Sequence, residues 1–340
     1  MWLRDAALTL EAFVAHGFLG MAEHWRGWLL RAIAGDPAQT QIMYGIAGER
    51  DLWERELVSL PGYQGAGPVR VGNAAAGQYQ ADVIGEVMVA LDVAREAGLE
   101  ESEFSWPLQR ALMARLVDHI DEPDRGIWEI RGEPRFFTHS RVMIWAALDR
   151  AIRAVREHGL SGDLTRWELL RDRMRHEIDT HGVSADGHFR QSYDGDEVDA
   201  SLLALPTVGY CEPDDPRMLA TVERIESTLM ADGLVRRYRT SSGVDGLPGD
   251  EHPFIACSFW LVEQYAASGR TDDAVRLMDR ACGVANDVGL LSEEYDVETG
   301  RQAGNTPQAL SHLALVRAAD ALVGGARTTP RTAEEPLPGH

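Results

Sequence analysis

Basic residues are scarce in this 340-residue chain, where 33 Lys and Arg face 54 Asp and Glu and the formal net charge is −21. A surface of that sign repels nucleic-acid phosphates and anionic lipid, so neither is expected as a partner, whereas a neutral solute meets no such barrier. Cysteine is scarcer still. Cys211, Cys257 and Cys282 are an odd number without CxxC spacing, which predicts reduced thiols in a cytoplasmic protein rather than a disulfide framework. Cys211 and Cys257 sit among apolar neighbours, where thiols are inert, so a cysteine nucleophile fits poorly. No apolar run reaches membrane-spanning length, and Met1-Trp2-Leu3-Arg4-Asp5 does not start like a signal peptide. Walker A, dinucleotide, nucleophile-elbow and EF-hand patterns are all missing. The segment His176-Glu177-Ile178-Asp179-Thr180-His181 looks like a zinc-protease helix, but its histidines are five apart and point to different helix faces. The sequence therefore predicts neither a cofactor nor a metal.

What is abundant is helical periodicity. Ile144, Ala147, Leu148, Ala151, Ile152 and Val155 repeat at helical spacing, as do Met218, Val222, Ile225 and Leu229. Alternation of period two is not sustained, so strands should be short or absent. The pattern predicts eleven helices, near 4–17, 20–34, 77–98, 102–120, 138–158, 162–180, 197–204, 214–230, 253–268, 271–286 and 305–324. Gly269 stops one of them, and Thr271 caps the next ahead of Asp272 and Asp273. Short connections alternate with long ones near 35–76, 121–137, 181–196, 231–252 and 287–304. Short turns make neighbours antiparallel, so every long connection lands at the same end of the ring. Long loops in a compact domain are usually functional. The expected fold is all-α, an (α/α)6 barrel of helix pairs that lacks its first helix, over residues 1–325. The Pro-rich, polar tail 326–340 is expected to be disordered.

Two of those loops carry paired chemistry. In Asp124-Arg125-Gly126-Ile127-Trp128-Glu129-Ile130-Arg131-Gly132 a carboxylate follows a Trp. A carboxyl against an aromatic face is poorly solvated, which raises its pKa and suits a general acid. The alternative is a core Trp128 beside a surface Glu129. Downstream, Leu291-Ser292-Glu293-Glu294-Tyr295-Asp296 offers the second carboxylate, Glu293 or Glu294. Glu294 is the better candidate for an outward charge, but the sequence alone does not decide between them. Two carboxylates from distant loops suggest glycoside hydrolysis, with a separation of roughly 6.5–9.5 Å if the reaction inverts. Arg4-Asp5 can grip adjacent sugar hydroxyls, or simply cap a helix. Tyr44 can stack on a pyranose ring or pin the long loop. Arg237 can bind a hydroxyl or make a salt bridge, and the charges of 49–56 read as an ion-paired turn.

At these residues the chain resembles glycoside hydrolase family 15, the glucoamylase and bacterial trehalase group. The matching pieces are Trp2-Leu3-Arg4-Asp5-Ala6, Gln41-Ile42-Met43-Tyr44-Gly45, Gly72-Asn73-Ala74-Ala75, Gly126 through Gly132, Asp245-Gly246-Leu247-Pro248-Gly249 and Leu291 through Asp296. The resemblance implies an (α/α)6 barrel with its site at the loop end. It implies Glu129 as general acid and Glu293 as general base, with Arg4, Asp5, Tyr44, Trp128 and Arg237 around the substrate. It also implies an inverting, exo-acting α-glucosidase that releases glucose from α-linked oligosaccharides. Trehalose is the alternative substrate, and a catalytically inactive carbohydrate-binding toroid is the alternative from another class. Family members of bacterial origin carry an upstream β-sandwich and an aromatic segment before Trp-Leu-Arg-Asp, so the chain is expected to be truncated.

Overall fold

A computed structural model describes residues 1–35, 39–65, 67–240, 243 and 251–324. The Asp245–Gly249 motif and the tail 326–340 lie outside the described residues. Ten α-helices are present among them: α1 (Leu3–Ala15), α2 (Leu19–Ala34), α3 (Asp82–Glu96), α4 (Ser105–Asp118), α5 (Thr138–His158), α6 (Leu164–His181), α7 (Pro216–Leu229), α8 (Ile255–Ala267), α9 (Thr271–Cys282) and α10 (Ala309–Leu322). The eleventh expected helix, 197–204, is instead a five-residue 3-10 turn, Ala200–Ala204. Its start is set by the Asp199 side chain, which accepts from Ser201 N, and Pro206 follows two residues after its end, so an α-helix has no room to propagate. The helix expected from residue 77 begins at Asp82. Asn73 caps a separate 3-10 turn, Ala74–Gly77, and Gln78 is extended.

The elements form two layers. An inner ring closes through α1, α3, α5, the Ala200–Ala204 turn, α8, α10 and back to α1. Outside it, α2 packs on α1, α4 on α3 and α5, α6 on α5, α7 on the 3-10 turn, and α9 on α8 and α10. This is the (α/α)6 barrel. The apolar stripes read from the sequence face inward, with Ile144, Ala147, Leu148, Ala151 and Ile152 of α5 and Met218, Val222, Ile225 and Leu229 of α7 all buried. Between α3 and α5 the fit needs a glycine: a Cβ on Gly85 would stand 2.4 Å from the Met143 carbonyl oxygen. The bore of the ring sets charged groups among apolar ones such as Leu8, Val89, Met143 and Trp260. Arg4, Glu11, Glu86, His139, Glu263 and Arg317 surround a cavity of about 50 Å³, room enough for buried water. Burial, with Asp82 and Glu11 alongside, pushes the Glu86 carboxyl up to about 8.

Strands are confined to the loops, in three short antiparallel pairs: β1 (Arg55–Glu56) with β2 (Arg70–Val71), β3 (Met230–Ala231) with β4 (Leu234–Val235), and β5 (Glu294–Asp296) with β6 (Arg301–Ala303). The first pair carries the ion pairs of Arg70 with Glu54 and Glu56, as the alternating charges of that segment led one to expect. Each long connection is hydrogen-bonded to the next around one end of the ring. Arg125 N donates to Tyr79 O, Thr138 N to Gln191 O, Ala200 N to Arg237 O, and Ile255 N to Glu293 O. That stitched rim is the loop face. Among the described residues no helix is long and apolar enough to cross a membrane.

Candidate active site

Glu129 sits in a turn closed by Ile130 N to Arg125 O (3.1 Å) and Glu129 N to Gly126 O (3.3 Å). Its φ is +57°, a left-handed conformation that costs a non-glycine residue about 1 kcal/mol or more. Tight anchoring on both sides sustains it. Gly126 also has a positive φ and lies so near Phe137 that a Cβ would be 2.9 Å from the ring. On the other side Trp128 is buried among Tyr238, Phe254 and Trp260, with ring centroids 5.8–6.4 Å away. Its indole N–H donates to Asp199 Oδ2 at 2.9 Å. The Glu129 backbone carbonyl accepts from Gln78 Nε2 at 3.3 Å, and its carboxyl takes no hydrogen bond from a described residue. Burial therefore dominates its protonation and, together with the charges of Glu293 and Asp5, outweighs Arg4 and Arg237 to lift it to about 7.

The same charges locate the other expected residues. Glu293, Asp5, Arg4 and Arg237 all lie near enough to Glu129 to act on its proton. Glu293 is fixed by the strand pair at the end of its loop: Asn305 N and Nδ2 both donate to its Oε2, at 3.0 and 2.8 Å. Its Oε1 takes no hydrogen bond from a described residue, so one oxygen is left to accept from a water. Ser292 and Ser311 brace this turn from behind, Ser292 Oγ donating to Glu294 O and Ser311 Oγ to Ser292 O. Glu294 departs from the outward charge expected of it. It is half-buried beside Arg237 (3.3 Å), and burial pushes its carboxyl up to about 7.

Arg4 and Asp5 form the first turn of α1, held at the rim because Leu3 N donates to Ile42 O. Arg4 donates through Nε and Nη2 to Asp82 Oδ2 (3.1 and 2.9 Å) and through Nη2 to Gln80 Oε1 (2.9 Å). Burial works against its charge, but Asp82 and Glu86 more than offset this and raise its pKa. Asp5 is half-buried, and burial raises its carboxyl in spite of Arg4. Arg237 pairs with Glu251, Nε to Oε2 at 3.0 Å with a second contact from Nη2, and lies against the faces of Phe254, Tyr238 and Trp128. Tyr44 lies beside the start of α1, its N–H donating to Met1 O. It is fully buried and its hydroxyl accepts from Gln41 N at 3.0 Å, so in this structure it pins the loop and offers no face to a sugar.

Beside Glu129 opens a cavity of about 450 Å³, lined by Asn73, Gln78, Tyr79, Arg125 and Arg131 with Glu129 itself. The helpers Gln80, Asp82, Asp199, Glu251 and Asn305 were not foreseen. Asp82 falls inside the helix expected over 77–98 and Asn305 at the start of the one expected over 305–324, and only the fold brings them to their partners. Among the described residues one group of three candidate metal ligands comes close together, the exposed Glu96, Glu157 and His158 at the C-terminal ends of α3 and α5. The site amounts to a desolvated carboxyl whose pKa is raised to about 7 and a second, hydrogen-bonded carboxyl group on a rim that also holds two arginines and an aspartate. Such an arrangement can deliver a proton to one atom while accepting one from water.

Comparison with known proteins gives a consistent picture. Residues 1–320 match the family described as glycosyl hydrolases family 15. A trehalase of Mycobacterium tuberculosis is 38% identical over 320 residues, 93% of this chain and 47% of the relative. A trehalase of Thermoplasma acidophilum is 37% identical over 323 residues, 94% of this chain and 55% of the relative. The chain thus spans about half the length of the curated relatives it matches. Among solved structures, a wild-type glycosidase superposes with a TM-score of 0.75 at 19% identity, over 95% of this chain and 88% of that one. A bacterial glucoamylase complexed with acarbose gives 0.73 at 16% identity, over 96% of this chain and 49% of that one. These two share the helical barrel.

Proposed function

The chain belongs to glycosyl hydrolases family 15, and on that premise we propose that it hydrolyses an α-linked glucoside with inversion, trehalose being the substrate. The observation that carries the reaction type is the buried placement of Glu129 beside a cavity of sugar size, which lifts its carboxyl to about 7. Glu129 gives its proton to the glycosidic oxygen, and the bond from that oxygen to the anomeric carbon breaks. A water attacks the anomeric carbon from the opposite face, and its proton passes to Glu293 Oε1. Arg4 and Asp5 hold hydroxyls of the glucose being cleaved, and Arg237 keeps Trp128 and Glu294 in place beneath it. The departing sugar lies on the Glu129 side, in the cavity bordered by Arg125 and Arg131.

Trehalose is preferred over a maltooligosaccharide, reversing the order in which the sequence alone ranks them, because relatives named trehalase at 30–38% identity match over most of the chain. The test is glucose release from trehalose and from maltotriose in parallel, with the first-formed anomer read by NMR. The expected result is preferential cleavage of trehalose with α- and β-glucose appearing first in equal amounts, because the attacked anomeric carbon inverts while the departing glucose keeps its own α C–O bond. Initial release of α-glucose alone from trehalose would overturn the mechanism, and preferential cleavage of maltotriose would overturn the substrate. Binding of acarbose with no turnover of either sugar would instead favour a sugar-binding toroid.

A further inference from the structure

We propose that Asp199 is a positioning residue for the general acid, holding Glu129 in its reactive pose through the Trp128 indole. This rests on the reading of Glu129 as the acid. Asp199 is 2% exposed and receives four donors. Oδ2 accepts from Trp128 Nε1 (2.9 Å) and Gln191 Nε2 (3.2 Å), and Oδ1 from Ser201 N (3.1 Å) and Ser201 Oγ (2.5 Å). Those donors come from the Glu129 loop, from the connection after α6 and from the 3-10 turn of the inner ring. The next residue, Ala200, donates its N–H to the Arg237 carbonyl at 2.8 Å. One carboxylate therefore ties together three segments of the loop face, one of which carries Glu129.

The coupling to Glu129 is direct in sequence and in geometry. Trp128 precedes it, and the left-handed turn at Glu129 persists only while its flanks are held. The Gly126 flank is fixed by backbone hydrogen bonds. Among the described residues the Trp128 side chain makes one hydrogen bond, the indole N–H on Asp199, beside the Arg237 guanidinium that lies over its ring. An Asp is required because all four partners arrive as donors. An Asn of the same shape turns an NH2 toward one pair of them, so either Trp128 and Gln191 or Ser201 loses its acceptor.

The test compares Asp199→Asn, Trp128→Phe and the double variant, with Glu129→Gln as the control on the underlying reading. Trp128→Phe keeps a ring and removes only the N–H, without changing any charge. The charged groups facing Glu129 are Arg4, Asp5, Arg237 and Glu293, and all are retained. Loosening the indole lets water reach Glu129, so the alkaline limb of kcat/KM against pH moves to lower pH, by about half a unit or more. The kcat for trehalose falls roughly ten- to a hundredfold, the loss expected for one charge-assisted hydrogen bond, while KM changes little. The double variant is no worse than the more damaged single one. Circular dichroism confirms the fold, and if Asp199→Asn does not fold, Trp128→Phe decides. Unmoved alkaline limbs with kcat within about twofold of wild type, or single effects that multiply, overturn the proposal. An active Glu129→Gln overturns the acid assignment instead, so the two failures are told apart.

Discussion

Replacing Glu129 by Gln should abolish turnover and make the protein more stable, by an amount that depends on pH. The carboxyl is pushed up from an ordinary 4.5 to about 7 in the folded chain. Between those values the unfolded chain gives up the proton while the folded chain keeps it, so stability falls as pH rises through that window and stays lowered above it. At about 1.4 kcal/mol per pH unit the span caps the penalty near 3 kcal/mol. Glu129 is not fully enclosed, and screening by water reduces this to about 1–2 kcal/mol. Gln is neutral at every pH and escapes the penalty, as a group released from a functional constraint should. At about 2–4 °C per kcal/mol for a domain somewhat smaller than this one, the variant should melt roughly 2–5 °C higher at pH 8 and at the wild-type temperature at pH 4.5. Melts followed by circular dichroism from pH 4 to 8.5, paired with glucose release, provide the assay. A melting difference that does not change with pH would refute the buried-acid account, and undiminished turnover would refute the role.

Three further outcomes follow from other contacts. Asn305→Ala removes the 2.8 Å donor to Glu293 Oε2 and should lower kcat for trehalose roughly tenfold or more with KM nearly constant, and an unchanged kcat counts against Glu293 as the base. Glu86→Gln should stabilise the fold above pH 8 and not at pH 4.5, because burial raises that carboxyl to about 8; equal denaturant midpoint shifts at both pH values would count against this. Gly85→Ala forces a methyl against the Met143 carbonyl and should cost about 1–3 kcal/mol in urea unfolding, and a neutral result means that α3 and α5 are not in such close contact.

Helices were legible wherever a long apolar stripe had to face a core, as along Ile144 to Ile152, because burial and periodicity there demand the same conformation. The segment after Asp199 misled because its run of Leu202, Leu203 and Leu205 has the composition of a helix. Only the cap and Pro206, read together, show how short it must be. The strand pairs stayed hidden because two or three residues cannot display an alternation. In the site, Trp128-Glu129 was readable because desolvation of an acid is written into adjacent residues. The partners of that site were not, since Arg4 meets Asp82, Arg237 meets Glu251 and Glu293 meets Asn305 only after the loops converge. Tyr44 shows the converse, an aromatic whose setting is decided by three-dimensional packing around Gln41 and not by its type.

Because the inner ring closes between α1 and α10, helices about three hundred positions apart along the polypeptide, its last contact is also its most entropically expensive. Arg4 and Asp5 ride on one side of that seam and Glu293 leads into the other. Catalytic competence should therefore arrive late during folding, in step with closure, and a polypeptide still emerging from the ribosome would hold its proton donor ready with nothing yet to receive the nucleophile's proton.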